Sequence, residues 1–163
     1  MIVKFFELKK KNLKGIQFFL LYGNNKGLIE ETYHEVIKPA KKGSAFIYDE
    51  DEIIKNAQNF EETILNKSFF DNEKLIIINR TSDKMLRIIE KIIEKDLKDI
   101  TIILKSGILE KKSRLRNFFE KSEKTIIVPF YEDNYQSLNL ITNNFLKEKK
   151  ILLSTQNINL IIE

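Results

Sequence analysis

Apolar residues along the chain gather in two kinds of segment that alternate. Short runs rich in Ile and Phe recur at Ile16 to Tyr22, Ser44 to Tyr48, Lys74 to Asn79, Ile100 to Leu104 and Thr125 to Val128. Each is a continuous apolar stretch of strand length, the pattern of a strand buried on both faces. Between them the apolar spacing becomes helical. Ile29, Tyr33, Val36 and Ile37 share one face of a first helix, and Ile53, Ala57, Phe60 and Ile64 share one face of a second. Met85, Ile89, Ile92 and Ile93 mark a third, and Leu115, Phe118 and Phe119 a fourth.

Punctuation agrees with this division. Asp49 stands three residues before Glu52 as a capping box, while Ser82 and Ser113 are placed to cap the third and fourth helices. Pro39 closes the first helix. Strands alternating with helices need crossover connections, and these run right-handed, so the pattern predicts a doubly wound α/β fold: a five-stranded parallel sheet with helices on both faces. After Pro129 the rhythm changes. Tyr131-Glu132-Asp133 reads as an acidic hinge, with Asp133 or Asn134 capping an amphipathic helix from Tyr135 to Lys150 that turns Leu138, Ile141 and Phe145 inward. Residues from Ser154 to Glu163 read as the beginning of another helix. The expected division is an α/β domain over 1–130 and the start of a small, truncated helical domain over 131–163.

Composition narrows the function classes. Hydrophobic residues are 42% and charged residues 32% of the 163, a globular balance. No apolar run approaches the roughly 20 residues that cross a bilayer, and Lys4, Glu7 and Lys9 interrupt the amino-terminal hydrophobes, so neither a membrane span nor a signal peptide is expected and the chain reads as cytoplasmic. Cys is absent, which removes disulfides and thiolate metal sites. The single His, His34, falls on the polar side of the first helix. A net charge of +4 is too small to mark a nucleic-acid binder by itself.

The turn LLYGNNKGLIE, Leu20 to Glu30, sits where a phosphate-binding loop would follow a first strand. Such loops read GxxxxGK[ST]: backbone N–H groups wrap the phosphates, Lys neutralises charge and a hydroxyl holds magnesium. Gly23 and Gly27 supply part of the turn, but Leu28 and Ile29 occupy the Lys and Ser/Thr positions. The acidic pair that would end a neighbouring strand is missing too, since Ile76-Ile77-Ile78 runs into Asn79-Arg80-Thr81. ATP hydrolysis is therefore not expected, and no cofactor or metal is. The glycines read first as a plain strand-to-helix turn.

Four segments, in order and along the whole chain, resemble one family. LLYGNNKGLIEE looks like a degenerate nucleotide loop, NKSFFDNEKLIIINRTSDK like a helix end, strand and turn, and ILKSGILEKKSRLRNFFEKSEK with IIVPFYEDN like the close of a first domain. Together they are similar to the delta subunit of bacterial DNA polymerase III, a clamp-loader component. The resemblance implies a degenerate P-loop fold related to the AAA+ ATPases, then a helical lid, with a further collar domain lying outside this chain. It implies a protein that binds the sliding clamp (the beta subunit) and opens its ring for loading onto primed DNA, without hydrolysing ATP itself. Implied partners are the clamp, the ATPase and delta-prime subunits of the loader, and DNA in the assembled loader.

The family meets its clamp through two adjacent hydrophobic residues at a helix end, and Phe69 and Phe70 match that pair, with Leu65 and Ser68 beside them. The pair is conspicuous on its own terms. Polar Asn66-Lys67-Ser68 precede it and Asp71-Asn72 follow, and successive residues of a regular helix do not share a face, so one ring at least is expected outside the core. A second candidate is the basic stretch Lys111, Lys112, Arg114, Arg116 and Lys121, a DNA-phosphate contact or else the solvated face of the fourth helix. Two other classes stand against the clamp-loader reading. They are a divergent P-loop nucleotide-binding enzyme and a stand-alone basic DNA-binding module.

Overall fold

A computed structural model describes residues 1–41, 43–65 and 73–162, the side chain of Leu65 excepted. It divides into two compact units, Met1–Phe130 and Tyr131–Glu163.

The first unit is built on five strands: β1 (Phe18–Gly23), β2 (Ser44–Asp49), β3 (Lys74–Asn79), β4 (Ile100–Ser106) and β5 (Thr125–Phe130). All pair in parallel, in the order β2-β3-β4-β1-β5. The five predicted strands are all present. The helices are α1 (Phe5–Leu8), α2 (Lys26–Thr32), α3 (Glu50–Lys55), α4 (Ala57–Leu65), α5 (Leu86–Glu94) and α6 (Arg114–Lys121).

Right-handed crossovers decide which face each helix covers. The chain first runs from β1 outward to β2 through α2. It then returns through β3 to β4 and passes over β1 to β5, so the later connections cross the opposite face. One core therefore packs Ile53, Phe60, Ile89, Leu115 and Phe119 against Leu20, Ile78, Ile102 and Leu104. The other packs Leu8, Ile29, Tyr33 and Ile37 against Phe19, Leu21, Ile77, Ile103 and Val128. In β1, β3, β4 and β5 alternate residues feed different cores, which is why these strands are apolar at nearly every position; β2, expected to be buried on both faces, lies at the sheet edge and is exposed from Ser44 to Ile47.

Local departures from the expected pattern have local causes. The second helix is two: Asn56 leaves helical geometry (φ −142°, ψ 56°) and its carboxamide accepts the Asn59 N–H at 3.4 Å, ending α3 and restarting the chain as α4. The first helix widens after α2 into a π turn, Tyr33–Ile37, which turns both Tyr33 and Ile37 into the core before a 3-10 turn through Pro39. Asp49 and Glu52 form the expected capping box on α3.

Ser113 caps α6 by accepting the Arg116 N–H at 3.2 Å, and Asp83 completes the cap from thirty residues away. The Asp83 carboxylate takes hydrogen bonds from the Ser113 hydroxyl (2.6 Å) and the backbone N–H groups of Arg114 (3.1 Å) and Leu115 (3.0 Å). Burial pushes this carboxyl upward, but the bonds from Ser113, Leu115 and Arg114 and the Arg114 charge outweigh it and hold the pKa below its ordinary 3.8.

The second unit is a helical pair, α7 (Tyr135–Glu148) and α8 (Thr155–Ile162), with Asn134 as the cap of α7. The expectation that Ile141 and Phe145 turn inward is corrected, for both are exposed and Leu146 is buried instead. The helix offers two apolar stripes. The one that pairs with α8 contains Leu146, opposite an α8 that buries Ile158.

Replacing Asp83 by Ala should lower stability by about 1–2 kcal/mol at neutral pH, the usual worth of a helix cap. Because the folded-state pKa is depressed, this contribution is complete above the unfolded carboxylate value and fades as pH falls through the folded one. Denaturation midpoints of wild type and Asp83→Ala, compared at pH 7 and pH 3, should therefore converge on acidification.

Candidate functional site

In an open parallel sheet, ligands bind outside the carboxyl ends of adjacent strands whose connections leave to opposite faces. Here those strands are β1 and β4, with Gly23 to Lys26 following the first and Gly107 following the second. The crevice is closed by the chain itself. The Gly23 N–H donates to the Gly107 carbonyl at 3.1 Å, the Asn25 N–H to Phe130 O at 3.5 Å and the Lys26 N–H to Asn24 O at 2.9 Å. Asn25 caps α2, its side chain accepting the Leu28 N–H at 3.0 Å and its carbonyl the Ile29 N–H at 3.1 Å. A phosphate cradle would aim donors of this kind at a ligand, and those of Gly23, Asn25, Lys26, Leu28 and Ile29 are bonded within the chain.

Side chains around the loop tell the same story. Gly23 and Gly27 are separated by three residues where a phosphate loop has four. Ile29 is buried in the core and Leu28 packs against it. Across the mouth, the Arg116 guanidinium lies 5.2 Å from the Tyr22 ring centre, while its Nε pairs with Glu120 at 2.7 Å and its Nη1 donates to Leu109 O at 3.0 Å. At the end of β3, where metal-holding acids would stand, Arg80 adopts a left-handed conformation (φ 57°) and pairs with Asp49. Thr81 and Ser106 stitch the ends of β3 and β4. The Thr81 N–H and hydroxyl both donate to Lys105 O, at 3.0 and 3.2 Å, and the Ser106 hydroxyl donates to Thr81 O at 2.6 Å.

Two groups escaped sequence reasoning. Lys105 hides near the end of the fully buried strand β4. Its ammonium pairs with Glu30 at 2.6 Å and lies 4.1 Å from the Tyr33 ring centre, tying β4 to α2. Burial, reinforced by the charge of Glu30, raises the Tyr33 pKa. Asp83 is the other, since nothing in the local pattern shows that it reaches α6. Partners thirty or more positions apart leave no trace in a periodicity.

The basic stretch is split by the fold. Lys111, Lys112, Arg114 and Lys121 are exposed, with Lys112 paired to Glu110 at 2.9 Å, whereas Arg116 is drawn into the mouth of the crevice. His34 is on the surface, 4.0 Å from Glu30. Ser68, Phe69 and Phe70 lie outside the described residues, as does the side chain of Leu65. The described flanks are α4, ending at Leu65, and β3, beginning at Lys74. They are joined by the Lys74 ammonium, which donates to the Thr63 carbonyl at 2.8 Å.

With five parallel strands in the order β2-β3-β4-β1-β5 and helices on both faces, this chain has a doubly wound α/β fold. It belongs to the family described as DNA polymerase III, delta subunit, whose sequence pattern matches residues 19–128. Among solved structures it is similar to the Bacillus subtilis DNA clamp loader delta protein, at 18% identity and a TM-score of 0.62, covering 94% of this chain and 50% of that one. It is also similar to a replication initiator DnaA bound to AMPPCP and single-stranded DNA (20% identity, TM-score 0.52, 97% and 53% covered). A third is a DNA polymerase III gamma subunit-related protein from Thermotoga maritima (12% identity, TM-score 0.52, 88% and 52% covered). The chain thus spans about half the length of these solved relatives. None of the curated protein sequences matches it.

The two loop glycines separate a structural role from a phosphate-binding one. A Cβ on Gly23, at φ 140°, would lie 1.9 Å from Phe130 O, whereas one on Gly27 meets only Asn25 Oδ1 at 3.8 Å. Gly23→Ala should cost at least about 2 kcal/mol. Gly27→Ala should be neutral or stabilise by up to about 1 kcal/mol, because Ala is the better helix former. Thermal melts of the two variants check this, and magnesium-ATP should shift neither.

Proposed function

We infer that this chain is the clamp-contacting portion of a clamp-loader delta subunit, and that Phe69 and Phe70 are the contact. The observation that carries the reading is that the family match over residues 19–128 runs through this pair. Leu65 and Ser68 flank the rings, and the Lys74–Thr63 bond holds the two ends of the segment together on a rigid sheet. Burying a Phe contributes roughly 1.5–3 kcal/mol, so two rings in a pocket of the clamp would dominate the interface.

Ring opening follows if the segment fits the distorted clamp better than the closed one, since a ligand shifts an equilibrium only by its difference in affinity for the two states. The chain itself hydrolyses nothing. Several of the loop donors are bonded within the protein and the loop lacks the Lys and Ser/Thr of a phosphate site, which supports a cycle driven by ATP on other loader subunits. The lid role of α7 and α8, and delta-prime and ATPase subunits as partners of the longer protein, belong to the same reading. Exposed Lys111, Lys112 and Arg114 are the DNA-facing candidates, and Arg116 drops out of that set because it is engaged with Glu120 and Leu109.

Clamp binding should fall by roughly 100-fold or more in Phe69→Ala/Phe70→Ala, from two lost ring burials at 1.4 kcal/mol per tenfold. The thermal melt should be unaltered. Surface plasmon resonance on immobilised clamp measures it, and unchanged affinity would remove the pair from the interface. Loss of affinity with magnesium-ATP-dependent stabilisation would instead favour the nucleotide-binding enzyme.

A further inference from the structure

Charge is unevenly spread along this chain. Of its 28 basic and 24 acidic side chains, Lys4, Lys9, Lys10, Lys11 and Lys14 stand against a single carboxylate, Glu7, between Met1 and Lys14. The remaining residues balance, so the whole excess of +4 resides in this segment. Glu7 is turned back onto the backbone, accepting the Lys4 N–H at 3.1 Å. Lys9 meets Glu35 at 3.5 Å with both side chains more than half exposed, the kind of pair that water and salt readily separate. The ammonium groups of Lys10 and Lys14 have no bonded partner among the described residues, and both residues are exposed.

An aromatic ring lies among these cations. Adjacent residues of the single turn α1 cannot both enter the core. Phe5 packs inward, 6.3 Å from the Phe130 ring centre, while Phe6 stands 52% exposed with the Lys4 ammonium 5.7 Å from its own centre. Open cations beside an open ring match one kind of partner. Phosphates complement the lysines, and an unpaired base supplies a π-face for the ring. An acidic peptide would use the lysines alone, and a duplex keeps its bases stacked on one another. The segment packs through Leu8 and Leu13 on one face of the sheet, whereas α6 and its basic residues pack through Leu115 and Phe119 on the other.

We propose that Lys4, Phe6, Lys9, Lys10 and Lys14 form a binding surface for single-stranded nucleic acid, with the ammonium groups on phosphates and the Phe6 ring against a base. It involves neither Phe69 and Phe70 nor α6, so it stands apart from the clamp reading.

Fluorescence anisotropy of a labelled oligothymidylate of about 15 nucleotides, titrated with the purified chain, tests this. Binding should weaken about tenfold or more between about 0.05 and 0.2 M salt, as expected when three or so phosphates are neutralised. Lys10→Glu/Lys14→Glu should weaken it about tenfold or more at the lower salt. Phe6→Ser should cost about fivefold or more and Phe6→Tyr should restore it, because stacking needs only the ring. Thermal melts should stay unaltered, since these side chains are exposed. A charge-matched Lys84→Glu/Lys95→Glu outside the segment should bind within about twofold of wild type. An oligonucleotide that does not bind overturns the proposal, as does affinity that Lys10→Glu/Lys14→Glu leaves intact. So does a duplex bound as tightly as the single strand, or polyglutamate of similar length that displaces the oligonucleotide equally well.

Discussion

Everything in the first unit depends on β1 being buried on both faces and bonded on both edges. Phe19 and Leu21 enter one core, Leu20 and Tyr22 the other, and the backbone pairs with β4 on one side and β5 on the other. A strand so enclosed admits a polar residue only where its polar group is bonded, as Lys105 of the equally enclosed β4 is to Glu30. The right-handed rule then sends α2 to one face and α3 to α6 to the other. The crevice where ligand chemistry usually resides is a by-product of that reversal.

The crevice is narrowed by packing and by bonds within the chain. Gly23 is required because β5 passes so close that any Cβ would strike Phe130, a packing reason unconnected with phosphate. The backbone donors of the turn are bonded to Gly107, Phe130 and Asn25, and Arg116 lies across Tyr22 at the mouth.

Much of this was legible in the order of residues, for a physical reason. A parallel strand covered on both sides must be apolar at successive positions, so β1, β3, β4 and β5 announce themselves, while β2 has the same apolar look although Ser44 to Ile47 are exposed; the missing Lys and Ser/Thr of the loop are visible as Leu28 and Ile29. Features built from distant partners were not legible. Asp83 reaching α6, Lys105 reaching Glu30, and Gly107 closing on Gly23 join positions thirty to more than eighty residues apart. The break at Asn56 lay inside an unbroken helical period, and the choice between two apolar stripes on α7 was made by α8. Phe69 and Phe70 rest on sequence and family together, since they fall outside the described residues.

The strand order also bears on how the chain emerges from a ribosome. Phe18 pairs with Ile102 and with Thr125, so β1 is synthesised roughly eighty residues before either neighbour exists. At translation speeds of about 5–20 residues per second, FFLLY waits for several seconds without a partner. Such a delay, added to the slow closure of distant parallel pairings, makes this stretch a natural client for a nascent-chain chaperone.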